Sequence, residues 1–374
     1  MIKIVADDKI PFLKGALDKV ANVIFMPGHL IDNKALLDAD AMIIRTRTKC
    51  NEDLLKGTRV RFIGTATIGF DHIDTHYCQH NNITWTNAPG CNSASVNQYI
   101  VSALLTLSHH HKYPLEGKTI GIVGVGNVGT KVAKSARILG MNVLQNDPPR
   151  ARKERKSDFV LLGDILYNAD IITLHVPLNV VGEDQTWHLF NEKSFKKMRK
   201  GSWLINSSRG EVVDNTALKI ALAHDKIKSI NDVFENEPDI DLDVMKMSFI
   251  STPHIAGYST DGKANGTSMI IRALSRFFGI DLIHWFPDNV PGPSKSEITI
   301  NGAGKSNNDI IREAVILSYN ILNDDEKLRL NPTEFEHHRG NYPVRREFPY
   351  YTIKTINCKP DLIQKLKDLG FKIS

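Results

Sequence analysis

The sequence has little cysteine, no long apolar run and almost no charge imbalance: four cysteines and a net charge of +5 in 374 residues. No stretch approaches the roughly 18 consecutive apolar residues of a membrane-spanning helix, so we expect no membrane segment. The N-terminus does not resemble a secretory signal, so we expect a cytoplasmic protein. The cysteines show no paired C-x-x-C spacing, which argues against a disulfide framework and against a metal site.

The charged residues also disfavour a nucleic-acid partner. Basic clusters occur at 150–153 and 196–200, but no aromatic residues interleave them. The 42 acidic residues nearly balance the 47 basic ones, so we expect no nucleic-acid binding. The length instead predicts a globular protein of two or three domains.

Short runs rich in Val, Ile and Leu alternate with helical stretches up to about residue 255. Runs of this kind are typical of parallel strands that are buried on both faces, and the alternation predicts an α/β fold with doubly wound parallel sheets. The predicted strands are Ile2–Val5, Ala41–Ile44, Phe62–Thr65, Thr119–Val123, Asn142–Gln145, Ile171–His175 and Trp203–Asn206, and the predicted long helices are Asn92–His111 and Ala264–Gly279.

The C-terminal part of the chain predicts a small α+β unit. Proline and glycine between Phe286 and Pro293 favour an extended linker. Beyond it we predict strands at Ile298–Ile300 and Tyr351–Ile356 and helices at Ile310–Leu322 and Leu362–Leu369. A unit this small buries little surface alone, so we expect it to pack on a neighbour, and a symmetric partner subunit is the simplest candidate.

A glycine-rich loop follows the predicted strand at Thr119–Val123. It reads G-x-G-x-x-G, with Asn127 and Val128 between the second and third glycines, and a predicted helix comes directly after it. The three glycines would permit a tight turn, close approach of a pyrophosphate and close packing of helix on strand, in that order: Gly124, Gly126 and Gly129. The context therefore predicts a dinucleotide site.

An acidic residue ends the next strand, about twenty residues further on. This residue, Asp147, is placed to accept hydrogen bonds from the adenosine ribose. A carboxylate would repel a 2′-phosphate by roughly 4 kcal/mol per charge at ~4 Å, so NAD is favoured over NADP. Arg150 and Arg152 lie close in sequence and could weaken that preference.

Three later loops, each after a β-like run, carry groups suited to oxidising a secondary alcohol. His254 is a suitable base for the hydroxyl proton, because imidazole titrates near neutrality. Glu237 is a suitable partner for the other ring nitrogen, and Arg209 is a suitable anchor for a carboxylate beside the reacting carbon. Ligands bind at the carboxyl ends of parallel strands, so we expect these three side chains to meet there and to act on a 2-hydroxy acid.

These segments resemble the D-isomer-specific 2-hydroxyacid dehydrogenase family. The resemblance extends over roughly the first 280 residues and is carried by Gly124–Gly129, His175–Leu178, Asn206–Gly210, Asp232–Pro238 and Thr252–His254. It implies a substrate-binding (lid) domain of residues 1–93 and 257–285, an NAD-binding Rossmann domain of residues 94–256 and an active-site cleft between two doubly wound, Rossmann-like or flavodoxin-like domains. The remaining residues, 286–374, would form a C-terminal α+β dimerisation domain.

The resemblance also implies further site residues. Val176, Asp232 and Gly257 would contact the cofactor, although Val176 stands where a threonine is usual and loses its hydrogen bond. Thr46 and Thr67 would contact the substrate, and Tyr258 would close over it.

A narrower resemblance links the chain to family members that act on a phosphorylated four-carbon 2-hydroxy acid and form homodimers through the C-terminal domain. It is carried by Ala88–Asn92, Asn146–Ala151, His254–Lys263 and Asn341–Glu347. A phosphate needs a cationic pocket away from the reacting carbon.

Arg45 and Arg47 follow the strand Ala41–Ile44 at its carboxyl end, and we assign the phosphate contacts to them; the alternative is that both are exposed loop arginines. We expect Arg345 and Arg346 to reach in from the partner subunit. Two alternatives stay open: a dehydrogenase of 3-phosphoglycerate or another 2-hydroxy acid, and an NADH-sensing binding protein without useful turnover.

Overall fold

The computed structural model describes residues 1–155 and 158–374. The described chain divides into two compact units. The first joins Met1–Asn92 to Thr260–Pro291, and the second joins Ser93–Ser259 to Gly292–Ser374. Within the described ranges, every helix is too short or too polar to cross a bilayer.

The strands and helices of the described residues alternate along most of the chain. The strands are β1 (Ile2–Asp7), β2 (Ala21–Met26), β3 (Ala41–Ile44), β4 (Phe62–Thr65), β5 (Thr84–Thr86), β6 (Thr119–Val123), β7 (Asn142–Asn146), β8 (Ile171–Leu174), β9 (Ser202–Asn206), β10 (Ile227–Asn231), β11 (Ile250–Ser251), β12 (Glu297–Asn301), β13 (Thr352–Ile356) and β14 (Lys372–Ile373). The α-helices are α1 (Asn33–Leu36), α2 (Glu52–Leu55), α3 (Thr75–His80), α4 (Ser93–His110), α5 (Asn127–Ile138), α6 (Pro148–Glu154), α7 (Leu162–Asn168), α8 (Glu192–Lys197), α9 (Asn215–Ala223), α10 (Leu242–Met247), α11 (Thr260–Phe278), α12 (Asn307–Ser318), α13 (Leu322–Leu330), α14 (Phe335–Gly340) and α15 (Pro360–Leu369).

The first unit is built on a parallel five-stranded sheet in the order β2-β1-β3-β4-β5. The returning helix α11 covers one face of it. A Cβ at Gly64 of β4 would lie 2.4 Å from Cγ2 of Ile270, so glycine is what lets this helix pack so closely. Phe62 and Phe277 extend the same contact, with ring centroids 5.3 Å apart.

The second unit contains a parallel six-stranded sheet in the order β11-β10-β9-β8-β6-β7. All residues of β8 and β9 are buried, because helices cover both faces of this sheet. The chain leaves β6 for β7 on one side and returns to β8 on the other. The carboxyl ends of β6 and β8 therefore form the topological switch point at which α/β folds bind ligands.

The C-terminal segment forms a three-stranded parallel sheet in the order β12-β13-β14. Its apolar residues share one core with α4 of the same chain. Polar contacts join them as well, since Ser102 donates to the carbonyl of Tyr319 at 3.1 Å and Gln98 donates to that of Arg346 at 3.0 Å. At least part of the apolar surface that we expected a partner subunit to bury is therefore buried by this chain itself.

The predicted fold class is confirmed: two doubly wound parallel sheets and a small C-terminal α+β part. Among the strands that were not predicted from the sequence are β2 and β10. β2 carries the apolar run Val23–Met26, but it lies at the edge of its sheet and its residues are mostly partly or fully exposed, unlike those of the buried strands that were predicted. In β10, Lys228 and Ser229 interrupt the apolar pattern.

Candidate active site

The glycine loop after β6 is a close-packed turn. Gly124 has φ +87°, and a Cβ there would lie 2.5 Å from the carbonyl oxygen of His175 and 2.9 Å from Cγ1 of Val176. A Cβ at Gly129 would lie 2.1 Å from the carbonyl oxygen of Gly124. Only glycine fits these two positions, and this places the start of α5 directly on the end of β6.

The N-terminus of α5 is left open. Gly126 is the N-cap and has no side chain that could cap the helix, and among the described residues no atom lies within 4 Å of where its Cβ would be. Gly126 and Asn127 are exposed, whereas Val128 is half-buried and packs against the core. Uncapped N–H groups and the helix dipole together favour a phosphate group at this end.

Asp147 lies at the end of β7, beside the glycine loop. Its Oδ2 accepts from the backbone N–H of Val125 at 2.8 Å, and its Oδ1 caps α6 by accepting from the N–H of Arg150 at 3.1 Å. A carboxylate offers about four acceptor positions, so a ribose hydroxyl can still be accepted. The residues around β6 and β7 therefore fit a dinucleotide.

The two arginines that could have favoured a 2′-phosphate are already paired. Arg150 contacts Glu154 at 2.6 Å and the carbonyl of Val125, and Arg152 contacts Asp184 and Glu183. Their charge is thereby offset, and the preference for NAD that Asp147 predicts is strengthened.

The three loops expected to carry the chemistry start at one level of the second sheet. Asn206 of β9 pairs with Asn231 of β10, which pairs with Ser251 of β11. Arg209 and His254 each follow three residues after that level. The loops therefore extend side by side from the carboxyl edge.

Gly210 brings two of these loops into contact. A Cβ at this position would lie 1.9 Å from the carbonyl oxygen of Phe234 and 2.5 Å from the N–H nitrogen of Glu235. Any other residue would push the Arg209 loop away from the segment that leads to Glu237.

Glu237 and His254 form a hydrogen-bonded pair. Oε2 of Glu237 lies 2.7 Å from Nδ1 of His254, and Oε1 accepts from the N–H of Phe234 at 3.0 Å. The Glu237 side chain is 17% exposed and that of His254 is 30% exposed. The carboxylate is thus fixed at both oxygens, and the imidazole stays within reach of a ligand.

The ionisation of Glu237 decides which ring nitrogen of His254 carries a proton. Burial raises the pKa of Glu237, but the His254 charge and the hydrogen bonds from His254 and Phe234 outweigh it and hold the pKa below its ordinary value. An ionised carboxylate only accepts, so Nδ1–H donates to it. Nε2 is then the nitrogen free to take a proton.

The side chain of Asp232 stabilises the loop that carries His254. The side-chain oxygens of this buried residue accept from the hydroxyl of Thr252 at 2.6 Å and from the N–H groups of Ile255 and Ala256 at 2.8 and 2.9 Å. His254 itself has φ +54°, a left-handed conformation that persists only where the surroundings impose it. The role of Asp232 in this structure is to shape the loop; the cofactor contact that the resemblance implies stays a prediction.

Arg209 is a half-buried cation on the loop after β9. Its Nη1 donates to the carbonyl of Ser208 at 2.8 Å. Among the residues that the structure describes, no carboxylate forms an ion pair with it. A planar guanidinium without a carboxylate partner, on the loop next to Glu237, is suited to a substrate carboxylate.

Gly257 and Tyr258 follow the His254 loop directly. Tyr258 is half-buried, and its ring lies edge-on to that of Tyr342 with centroids 5.9 Å apart. The guanidinium carbon of Arg339, on α14, lies 5.7 Å from the Tyr258 ring centroid. Sequence analysis missed Arg339, because no motif links residues 258 and 339.

The remaining predicted substrate residues belong to the first unit. Arg45 and Thr46 follow β3 and Thr67 follows β4, whose last residues are in register. Arg45 donates to the carbonyl of Lys9 at 3.3 Å, and the Thr67 hydroxyl donates to the carbonyl of Gly69 at 2.9 Å. The three lie along one edge of the first sheet, and their contact with substrate stays a prediction.

The expectation that Arg345 and Arg346 reach into a partner subunit is wrong. Both are buried in their own chain, at 4% and 2% exposure. Arg345 donates to the carbonyls of Ile255 and Ala256, and Arg346 lies over the ring of Tyr350. Engaged in this way, neither side chain can extend to another subunit.

Comparison with known families supports the same assignment. Residues 95–256 match the NAD-binding domain of the D-isomer-specific 2-hydroxyacid dehydrogenases. Residues 290–370 match a domain family of unknown function.

Curated relatives match over nearly the whole chain. Erythronate-4-phosphate dehydrogenase of Bacteroides fragilis is 47% identical over 94% of this chain and 99% of its own, and that of Proteus mirabilis is 39% identical over 99% of both. Among solved structures, D-lactate dehydrogenase of Aquifex aeolicus with NAD and lactic acid has a TM-score of 0.62 at 27% identity, covering 78% of this chain and all of that one. NAD-bound 3-phosphoglycerate dehydrogenase of Entamoeba histolytica shares the fold, with a TM-score of 0.63 at 23% identity over 78% of this chain and 99% of that one.

Full-length identity at this level settles the family, and the open α5 terminus with Asp147 beside it agrees with the cofactor of the matched domain. The chain therefore belongs, with the erythronate-4-phosphate dehydrogenases, to the D-isomer-specific 2-hydroxyacid dehydrogenase family, and it is an NAD-dependent dehydrogenase.

Proposed function

We propose that this protein oxidises 4-phospho-D-erythronate to (R)-3-hydroxy-2-oxo-4-phosphooxybutanoate with NAD, as a step of pyridoxal 5′-phosphate biosynthesis. The proposed chemistry rests on one observation, the contact of 2.7 Å between Nδ1 of His254 and Oε2 of Glu237 at the carboxyl edge of the six-stranded sheet. The substrate is proposed from the near-full-length similarity to erythronate-4-phosphate dehydrogenases.

His254 acts as the general base. Its Nδ1–H is held by the Glu237 carboxylate, so Nε2 accepts the proton of the C2 hydroxyl as that carbon is oxidised. The positive charge that then forms on the imidazole is stabilised by the same carboxylate, which is itself fixed by the Phe234 N–H. Glu237 therefore both selects the tautomer and favours the imidazolium.

Arg209 orients the substrate. Its guanidinium binds the C1 carboxylate in two places and draws electron density from the neighbouring C2 oxygen. The dinucleotide is held by Gly124, Gly126 and Gly129 and by Asp147 on the ribose. NAD, when bound, supplies the acceptor for the hydride that leaves C2.

A substrate comparison tests the proposal against its main competitor, 3-phosphoglycerate. We expect kcat/KM for 4-phosphoerythronate to exceed that for 3-phosphoglycerate and for unphosphorylated erythronate, measured as NADH formation with NAD in excess. A preference for 3-phosphoglycerate would reassign the protein to serine synthesis. Absence of turnover with all three acids would remove the 2-hydroxy acid assignment altogether.

We further propose a cytoplasmic homodimer that forms through residues 286–374. Support for the dimer comes from exposed apolar side chains on that segment, among them Leu317, Leu330 and Val344. The cytoplasmic location is proposed because the four free cysteines are typical of a reducing compartment. Light scattering tests the dimer: a monomeric mass at micromolar concentration would refute it.

A further inference from the structure

Arg339 of the C-terminal segment lies at the edge of the proposed active site. It belongs to α14, outside the residues that match the NAD-binding family model. Its guanidinium carbon lies 5.7 Å from the ring centroid of Tyr258 and 5.9 Å from that of Phe335, and the guanidinium donates a hydrogen bond to Tyr258. Tyr258 is four residues beyond His254, so a cation is held next to the residue that is expected to close over the substrate.

The charge of Arg339 is only partly offset. One nitrogen, Nη1, pairs with the more exposed Glu336 at 2.7 Å, whereas Nε is buried and has no hydrogen-bond partner in the described parts of the chain. The positive charge also acts on Glu237, where it helps to hold the pKa of that carboxyl down against the opposing effect of burial. Arg339 therefore has an unsatisfied donor, and its positive charge acts on Glu237 of the Glu237–His254 pair. Both features favour binding of an anionic ligand.

Two anionic groups of the proposed substrate need separate partners. Arg209, on the loop after β9, is placed for the C1 carboxylate beside the reacting carbon. Arg339 approaches from the other end of the His254 loop, through Tyr258. The two guanidinium groups thus belong to separate segments that flank the catalytic pair along the chain.

We propose that the phosphate contact, which the sequence alone assigned to Arg45, is made by Arg339 together with the hydroxyl of Tyr258, and that this contact sets the preference for a phosphorylated acid. This inference rests on the proposed function, because it presumes a phosphorylated 2-hydroxy acid. It assigns to the C-terminal segment a part in substrate recognition within its own chain.

The test compares substrates with and without the phosphate in the full-length enzyme with NAD in excess. Arg339→Met removes the guanidinium and leaves an unbranched apolar side chain in its place. We expect KM for 4-phosphoerythronate to rise about 10- to 100-fold, as for a lost charge-assisted interaction. The effect on Glu237 lowers kcat/KM for unphosphorylated erythronate as well, but by much less, so the ratio of the two kcat/KM values should fall about 10-fold or more. Arg339→Lys keeps the charge without the planar fork, and its KM should lie between those of the wild type and Arg339→Met.

A binding measurement gives a second readout. Inorganic phosphate should inhibit the wild type competitively against the phosphorylated acid, and its inhibition constant should rise in Arg339→Met by a similar factor. Glu336→Gln is the matched control, because it removes the acidic partner and keeps the guanidinium. Its KM for the phosphorylated acid should not rise.

Three outcomes would overturn the inference: equal losses on both substrates in Arg339→Met, an unchanged KM for the phosphorylated acid, or an equal rise of KM in Glu336→Gln. The first and third would make Arg339 a positioning residue for Tyr258. Should Arg339→Met fold poorly, as judged by circular dichroism, Arg339→Lys decides by the same substrate ratio. A wild type that prefers 3-phosphoglycerate or turns over no acid refutes the proposed function instead, whatever the variants do.

Discussion

Nδ1 of His254 lies 2.7 Å from Oε2 of Glu237, and the second oxygen of that carboxylate accepts from the backbone of Phe234. The pair is therefore oriented before any substrate arrives. A similar contact lies two residues earlier in the chain, where Glu235 meets Nε2 of His188 at 2.6 Å. The Glu235–His188 pair is therefore a suitable control for the contribution of the Glu237–His254 pair to catalysis.

Glu237→Gln should lower kcat by about 10²- to 10⁴-fold with little change in KM, because an amide can donate to Nδ1 and so stabilise the wrong tautomer. Initial rates of NADH formation measure this effect. Glu235→Gln should keep kcat within a few-fold of the wild type, since its partner His188 has no part in the proposed chemistry. Equal losses in the two variants would show that both carboxylates serve only to hold the loops.

Acid should remove the stabilisation that Glu237 contributes to the fold. Its pKa in the folded protein is held below the ordinary value, despite burial, by His254 and two hydrogen bonds. A depressed pKa stabilises the fold above the unfolded value near ~4.3, and this contribution is lost as the pH falls through the folded value. The difference in melting temperature between the wild type and Glu237→Gln should therefore be largest above about pH 5 and should narrow in more acidic buffer. A difference that widens in acid would contradict the sign of the shift.

Asp147→Asn should narrow the preference for NAD over NADP by about 10- to 100-fold, because the variant keeps an acceptor for the cap of α6 but loses the charge that repels a 2′-phosphate. The ratio of kcat/KM values for the two cofactors is the measurement. Glu192→Gln, which alters only the exposed pair with Lys196 on α8, is the control and should leave that ratio nearly unchanged. An unaltered ratio in Asp147→Asn would place the specificity elsewhere.

Gly210→Ala should destabilise the protein by about 1–3 kcal/mol and lower activity, because its Cβ would lie 1.9 Å from the carbonyl oxygen of Phe234. Thermal unfolding and initial rates check both effects. Gly163 in α7 offers a contrast, since a Cβ there meets nothing within 4 Å and its φ is not positive. Gly163→Ala should be neutral or stabilising by up to about 1 kcal/mol. Comparable damage from both changes would mean that the close approach at Gly210 is not what matters.

Sequence alone predicted those parts of the site that depend on local pattern. The glycine loop, Asp147 and the end of β9 follow from short motifs and strand periodicity, whereas β10 was not predicted because Lys228 and Ser229 interrupt its apolar pattern. The register of Asn206, Asn231 and Ser251 then places the Arg209 and His254 loops side by side, as the rule for parallel sheets anticipates.

Contacts between distant segments could not be read in this way. Nothing in the pattern around Arg339 or Arg345 shows that α14 and the following turn lie against residues 255–258. From the sequence we expected Arg345 to reach into a partner subunit, whereas the structure surrounds it with Tyr319, Tyr342 and Asp324 of its own chain. A buried cation of this kind is recognisable only once its partners are known.

The position of Arg345 beneath the carbonyls of Ile255 and Ala256 makes the last eighty residues part of the catalytic framework. A chain cut short before β12 would strip α4 of its apolar cover and would remove the Arg345 guanidinium from those carbonyls. The length of the smaller D-lactate dehydrogenase is consequently no guide to a minimal version of this enzyme, and grafting its shorter ending onto this chain would disable the histidine loop.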